Sequence, residues 1–423
     1  MALAVTAEDK AKFVDALCHT SHDGWVGLRI LARYAPDSVN TALALAVTGE
    51  DKSRLVAALC QVDGEGWTGL RTLSHYAPGS VNATLALAVT DEDKSKAVAA
   101  LCHADGNGCT GLRTLSYYAP GSVNATLALA VTDEDKSKAV AALCHADGEG
   151  WTGLRTLVDR VITPGSVSAA LALAINEEDK RKLIIALCQA DSGGWTVLRS
   201  LGRCAPESVN AALALALTAE DKSMLITAIC QVSNNGWTGL KALQHSAPES
   251  IGAVFALAVT AEDKSKVIAV LCQMNRDGKT GLEALQHHAP QSMSAAFALA
   301  ITEEDKSKVI AALCQVNSDG KTGLEALQHR APESMSAAFA LAVTEEDKSK
   351  VIAALCQVNS DGYTGLKTLK KYAPESVSAA FALANSDFCK SMIALSQVGV
   401  IVNDYEQVKT NVNLQKALAA AYG

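Results

Sequence analysis

The sequence lacks any apolar run of the roughly 18–20 residues that a membrane-crossing helix requires, so no membrane span is expected. It lacks an excess of positive charge. Its 37 Lys and Arg are set against 45 Asp and Glu, a formal net charge of −8, and no overall field draws it to nucleic acid or anionic lipid. The opening, Met-Ala-Leu-Ala-Val-Thr-Ala-Glu-Asp-Lys, lacks a basic stretch followed by a long apolar one, so no signal peptide is expected. Aromatic residues make up only 4% of the 423 residues, which makes those that recur in register stand out. A unique nucleophile–base–acid constellation is also missing. Every Ser, Cys, His and Asp of interest recurs in several copies, whereas a catalytic site is normally unique, so no enzyme and no catalytic residue are expected.

Self-similarity at a fixed period decides the architecture. Proline marks it at Pro36, Pro78, Pro120, Pro164, Pro206, Pro248, Pro290, Pro332 and Pro374, in steps of 42 with a single step of 44 into Pro164. At that step Leu157 to Thr163 replaces a shorter segment, and the insertion is expected to bulge the surface beside a turn. Tyr76 to Gly106 is identical to Tyr118 to Gly148, and Thr302 to Gly320 to Thr344 to Gly362, which points to internal duplication. The nine cysteines Cys18, Cys60, Cys102, Cys144, Cys188, Cys230, Cys272, Cys314 and Cys356 fall at one repeat position inside apolar runs. They are read as small buried hydrophobes rather than disulfide partners, in the cytoplasm or another reducing intracellular compartment.

Each repeat reads as three helices. Helix A spans about 50–61, with Thr48 as N-cap and Glu50 and Asp51 in the first turn, where carboxylates satisfy free amides and the dipole. Leu55, Val56, Leu59 and Cys60 form its apolar face. A Gly-rich loop, Asp63-Gly64-Glu65-Gly66, ends it. Helix B spans about 68–76, opened by Trp67, with Leu70 and Leu73 inward. Helix C begins after Ala77-Pro78, proline being tolerated in a first helical turn. It continues through Val81 to Ala88 and is apolar almost all round, so it is expected to be buried.

The 42-residue period and the three-helix pattern resemble the armadillo/HEAT class of α-solenoids over essentially the whole chain. The fold expected is therefore all-α: a right-handed superhelical α-solenoid of nine three-helix repeats of about 42 residues. The repeats occupy 1–384, and degenerate capping helices occupy 385–423, at Asn385 to Gln397 and Asp404 to Tyr422. The chain opens inside a helix C at Ala2 to Val5, so a truncated first unit is expected. The armadillo pairing of Trp and Asn on one peptide-binding helix is not reproduced, since Trp67 opens helix B and Asn82 sits on helix C. No family binding residue is carried over.

Function is expected at positions that vary between repeats. One candidate row pairs the start of helix B with the residue four later: Trp25/Arg29, Trp67/Arg71, Cys109/Arg113, Trp151/Arg155, Trp195/Arg199 and Trp237/Lys241, then Lys279/Glu283, Lys321/Glu325 and Tyr363/Lys367. Such residues are neighbours on a helix, so aromatic with cation gives a cation–π pair and Lys with Glu an ion pair. The switch implies that the two side chains touch and are partly exposed. They either support the helix locally or face a ligand, Trp and Arg being enriched in interface hot spots.

The second candidate is a stripe ending helix B: Arg33-Tyr34, His75-Tyr76, Tyr117-Tyr118, Arg203-Cys204, His245-Ser246, His287-His288, His329-Arg330 and Lys371-Tyr372. Spaced at about 10 Å per repeat, these residues either favour a helix C-terminus as cations and pack on the next repeat, or form a groove for an extended acidic partner. The Glu-Asp that opens nearly every helix A would repel phosphates unless it faces elsewhere.

No cofactor, metal or small-molecule substrate is expected. The Gly-rich loops lack the spaced carboxylates and distal Glu of a calcium loop, and Cys102-His103 and Cys144-His145 point in different directions on one helix. The polar ladder Asn40, Asn82, Asn124 and Asn210, continued by Ser or Gly, is read as bonding the backbone or a neighbouring repeat. The reading reached is a non-enzymatic scaffold whose groove takes a protein or extended peptide of acidic character. A modular helical-repeat nucleic-acid binder ranks second. A secreted bacterial effector or adaptor, delivered into a host cell and acting by protein–protein interaction, follows only by fold analogy.

Overall fold

A computed structural model of the chain describes residues 6–21, 25–160, 165–234, 236–274, 278–317, 320–359 and 362–383. The opening at Ala2 to Val5, residues 161–163 of the insertion with Pro164, and the expected capping helices of 385–423 lie outside the described residues. Two compact units divide the chain, Met1–Ala228 and Ile229–Gly423. The described residues of both form α-helices and short 3-10 turns, with isolated β-bridges and no strand. In each unit the described residues follow a regular helical repeat.

Helix A of one repeat runs Gly49–Leu59. Thr48 caps it, its hydroxyl accepting from the Asp51 amide at 3.0 Å while the Asp51 carboxylate turns back to the cap. This reciprocal box satisfies two otherwise orphan donors. The Asp is buried while its neighbour Glu50 is exposed. The buried carboxylate does a second job between repeats: Ser53 donates to Asp93 at 2.7 Å and Ser95 to Asp135 at 2.6 Å. Ser265–Asp305 and Ser307–Asp347 repeat the rung in the second unit.

The helix A cysteines are unbridged. Most are half-buried rather than fully buried, yet desolvation pushes the thiols of Cys60, Cys102, Cys144, Cys188, Cys230, Cys272 and Cys314 up to about 12. They stay protonated and unreactive at neutral pH.

The loop after helix A is a tight turn. Val62 bridges Thr68, and the Asp63 carboxylate accepts from the Glu65 and Trp67 amides at 2.9 and 2.8 Å. Gly66 takes φ +80°, which a side chain would strain. Helix B then runs Gly69–Tyr76 behind the cap Thr68, so Trp67 precedes the helix instead of opening it. Gly69 is required by packing, because a Cβ there would lie 2.9 Å from Leu59 Cα. Leu70 and Leu73 face the core as expected, 4% and 0% exposed.

Helix C departs from expectation. It is a 3-10 turn, Pro78–Ser80, followed by a short α-helix, Val81–Leu85. Val81, Thr84 and Leu85 are buried, but Asn82, Ala83 and Ala86 are exposed. The helix is not buried all round because the chain must turn through Leu87 and Ala88, both buried, to reach the next cap at Thr90. The polar ladder on helix C bonds between repeats where it is serine: Ser168 with Ser208 at 2.8 Å, Ser294 with Ser334 at 2.9 Å and Ser336 with Ser376 at 3.0 Å.

Within each unit every helix class packs on its own kind in the next repeat, A on A, B on B and C on C. Helix B therefore presents one continuous series of side chains in each unit.

Candidate binding face on helix B

Residues four apart share a helix face, so Trp67, Arg71 and His75 rise in one column. The two rows read separately from the sequence are thus one surface, Trp and Arg at its base and the stripe at its rim.

The base is more buried than expected. Arg29, Arg71, Arg155 and Arg199 are 2%, 4%, 7% and 5% exposed, which corrects the expectation of a partly exposed arginine. Each guanidinium does lie over its own tryptophan, at 4.7 Å for Arg29 on Trp25, 4.0 Å for Arg71 on Trp67, 4.8 Å for Arg155 on Trp151 and 3.5 Å for Arg199 on Trp195. Its charge is met elsewhere. Arg71 pairs with Asp105 in the loop of the next repeat at 2.8 Å, and donates to the Cys109 carbonyl at 2.9 Å and the Thr114 hydroxyl at 3.1 Å. Arg29 with Asp63, Arg113 with Asp147 and Arg155 with Asp191 repeat the pair. At two interfaces of the second unit Glu replaces Arg and Asn replaces Asp. Asn317 donates to Glu283 at 3.3 Å, and Asn359 donates to Glu325. Glu283 also accepts from the Thr280 amide at 3.3 Å. The Trp/Arg switch is therefore matched across the repeat interface, to a loop residue 34 to 36 positions on.

These carboxylates carry a pH signature. Burial opposes the ionisation of Asp93, Asp105 and Asp191, yet hydrogen bonds together with Lys96 at Asp93, Arg71 at Asp105 and Arg155 at Asp191 outweigh it and hold all three below the ordinary carboxylate range. A depressed folded pKa contributes stability that is present above the unfolded value of about 3.9 and lost as pH falls through the folded one. Chemical unfolding followed by circular dichroism is expected to show a midpoint that drops once pH falls below about 4, less steeply in Asp93→Asn. A midpoint unchanged down to about pH 2 would contradict this account.

The rim is exposed. In the first unit Arg33, Tyr34, Tyr117, Tyr118 and Arg203 are exposed, with His75 and Tyr76 half-buried; in the second His245, His287, His329, Arg330, Lys371 and Tyr372 are exposed, with His288 half-buried. Neighbouring repeats touch through this rim. Arg33 lies 5.6 Å over Tyr76, His75 meets Tyr118 edge-on at 4.3 Å, and Arg160 lies 4.2 Å over Tyr117. His245 meets His288 at 4.9 Å and His329 meets Tyr372 at 4.0 Å. Desolvation, and then the charge of Arg71, press the His75 pKa below its ordinary value; desolvation, with His287, His245 and Arg330 adding, does the same at His288. Both rings are neutral at neutral pH.

A groove opens on this face in each unit. The first, about 350 Å³, is lined by Trp67, Arg71, His75, Cys109, Arg113, Thr114, Tyr117 and Tyr118. The second, about 670 Å³, is lined by Lys241, Lys279, Lys321 and Arg330, by His287, His288 and His329, and by Glu283, Glu325 and Asn317 with small residues. Lys279 and Lys321 stand at the tryptophan position of the first unit. They were legible as half of a Lys/Glu pair but not as groove residues. The signal that marks the interface is the joint change of the Arg and Asp positions between repeats.

The acidic helix A starts do not line either groove. Their exposed glutamates pair with lysines one turn on, as in Glu92–Lys96 and Glu134–Lys138 at 2.6 Å.

No family model matches the chain, and no curated protein matches it. Among solved structures, the crystal structure of PUF-8 in complex with PBE-RNA is similar at 12% identity over 93% of this chain and 94% of that one, with a TM-score of 0.26. At that score nothing about this chain's ligand follows from the likeness.

Proposed function

We propose that the chain is a non-enzymatic binding scaffold whose helix B face takes an extended, acidic polypeptide. One observation carries this reading. Tyr117 and Tyr118 are stacked against the neighbouring repeats' Arg160 and His75 yet stay 46% and 44% exposed. Rings used only for packing would be covered. Rings held in place by a neighbour but left open offer contact area at small entropic cost, which suits a binding surface. The cations interleaved with them favour an acidic ligand. The recurrence of each feature from repeat to repeat supports several contacts along one chain rather than a single reacting centre.

The test is fluorescence anisotropy with labelled oligoglutamate, and with labelled oligouridylate in parallel. The intact chain is expected to bind oligoglutamate. A variant carrying His75→Ala, Tyr76→Ala, Tyr117→Ala and Tyr118→Ala should lose at least about tenfold in affinity, about 1.4 kcal/mol, with helicity unchanged by circular dichroism. Equal binding by the variant would remove the rim from the site. Clear preference for oligouridylate would transfer the face to nucleic acid, in which stacking rings and cations serve bases and backbone.

A further inference from the structure

The helix B faces of the two units differ in chemistry. In the first, Arg71 and Arg113 are committed to Asp105 and Asp147, and the groove is walled by Trp67, Tyr117 and Tyr118. In the second, Lys279 and Lys321 stand at the tryptophan position of their repeats and no Trp, Tyr or Phe is among the groove's lining residues. Lys241, Lys279, Lys321 and Arg330 bring four cations to one concavity against two carboxylates. Both carboxylates are also bonded at the repeat interface: Glu325 is 6% exposed and bonded by Asn359, and Glu283 is bonded by Thr280 and Asn317. The wall therefore presents net positive charge, with three imidazoles able to donate or accept hydrogen bonds.

We propose that the second unit's groove is a phosphoryl-binding site, and that it takes a phosphorylated side chain of the polypeptide bound by the scaffold. This rests on the scaffold reading above and names its ligand more closely. A phosphoryl group carries nearly two negative charges and three acceptor oxygens. It matches several convergent point-charge donors better than a single carboxylate does. A volume of about 670 Å³ lies within the range of preformed ligand sites. A nucleic-acid strand fits this groove less well, because single-stranded binding relies on aromatic platforms that its walls do not hold.

Inorganic tripolyphosphate is the probe, titrated into the full chain by isothermal calorimetry. Saturable binding is expected. Lys279→Ala with Lys321→Ala should weaken it at least about tenfold, Lys279→Arg with Lys321→Arg should largely keep it, and the charge-matched Lys96→Ala with Lys138→Ala outside the groove should not change it. No binding by the intact chain, or equal loss in the control variant, overturns the site. If tripolyphosphate fails while oligoglutamate binds, the phosphoryl assignment falls alone; if both fail, the scaffold reading falls with it. An oligouridylate that displaces tripolyphosphate and depends on the same two lysines would overturn the polypeptide assignment.

Discussion

Arg71→Ala is expected to destabilise its repeat interface by about 3–5 kcal/mol, the usual cost of removing one member of a buried ion pair. Much of that cost comes from what is left behind. Asp105 would remain nearly buried with a carboxylate whose cation has gone, and the Cys109 carbonyl and Thr114 hydroxyl would lose their donor. The stack of the guanidinium on Trp67 goes too. Repeat arrays need not unfold in one step, so the readout should be local. Amide hydrogen exchange across Gly69–Tyr76 and Gly111–Tyr118 should accelerate together with a fall in the denaturation midpoint. Arg71→Ala with Asp105→Ala should recover part of the loss, since the double change leaves no stranded charge. Lys96→Ala, which removes an exposed helix A pair, should leave the midpoint unchanged. If Arg71→Ala does the same, the pair is not what joins these repeats.

Glu325→Arg alone should destabilise the second unit by about 3 kcal/mol or more, because it places a cation at a 6% exposed position opposite an amide. Adding Asn359→Asp should restore most of that loss by building the pair found in the first unit between Arg155 and Asp191. The measurement is denaturation of the wild type, both single variants and the double. A coupling energy near zero would mean that the joint change of the two positions is coincidental. A large coupling would show that each interface is set by a matched pair.

Much of the architecture was legible because it depends on local rules read in repeated copies. Thr before Glu-Asp marks a cap, the glycine at the turn marks a left-handed residue, and the leucines of helix B mark its inner face. Helix C was read too long, since its composition is helical through Ala88 while the geometry demands a turn before Thr90. The candidate binding face was half legible. Tyr117 and Tyr118 were found by their recurrence at the helix end, and the structure leaves them open. Arg71 was found too, but its role was misjudged. Neighbours four apart on a helix are visible in a sequence, whereas a partner in the next repeat, such as Asp105, can be seen only by comparing copies at an offset. The Ser53–Asp93 rung escaped for the same reason. The groove of the second unit is a property of shape, and Lys279 and Lys321 alone do not announce a concavity.

The Arg–Asp and Glu–Asn pairs make neighbouring repeats into plug and socket of two gauges. Arg29, Arg71, Arg113 and Arg155 are each followed by a loop bearing aspartate, and Glu283 and Glu325 by one bearing asparagine, while Arg199, followed by Ser233, stands between the two runs. Copying a whole period inside a run of one gauge preserves every fit, as in the identical stretches from Tyr76 and from Tyr118. Moving a repeat from one run into the other breaks two joints at once. Such a chain can lengthen freely by duplication but resists shuffling, so the order of its rim residues is protected by the joints beneath them.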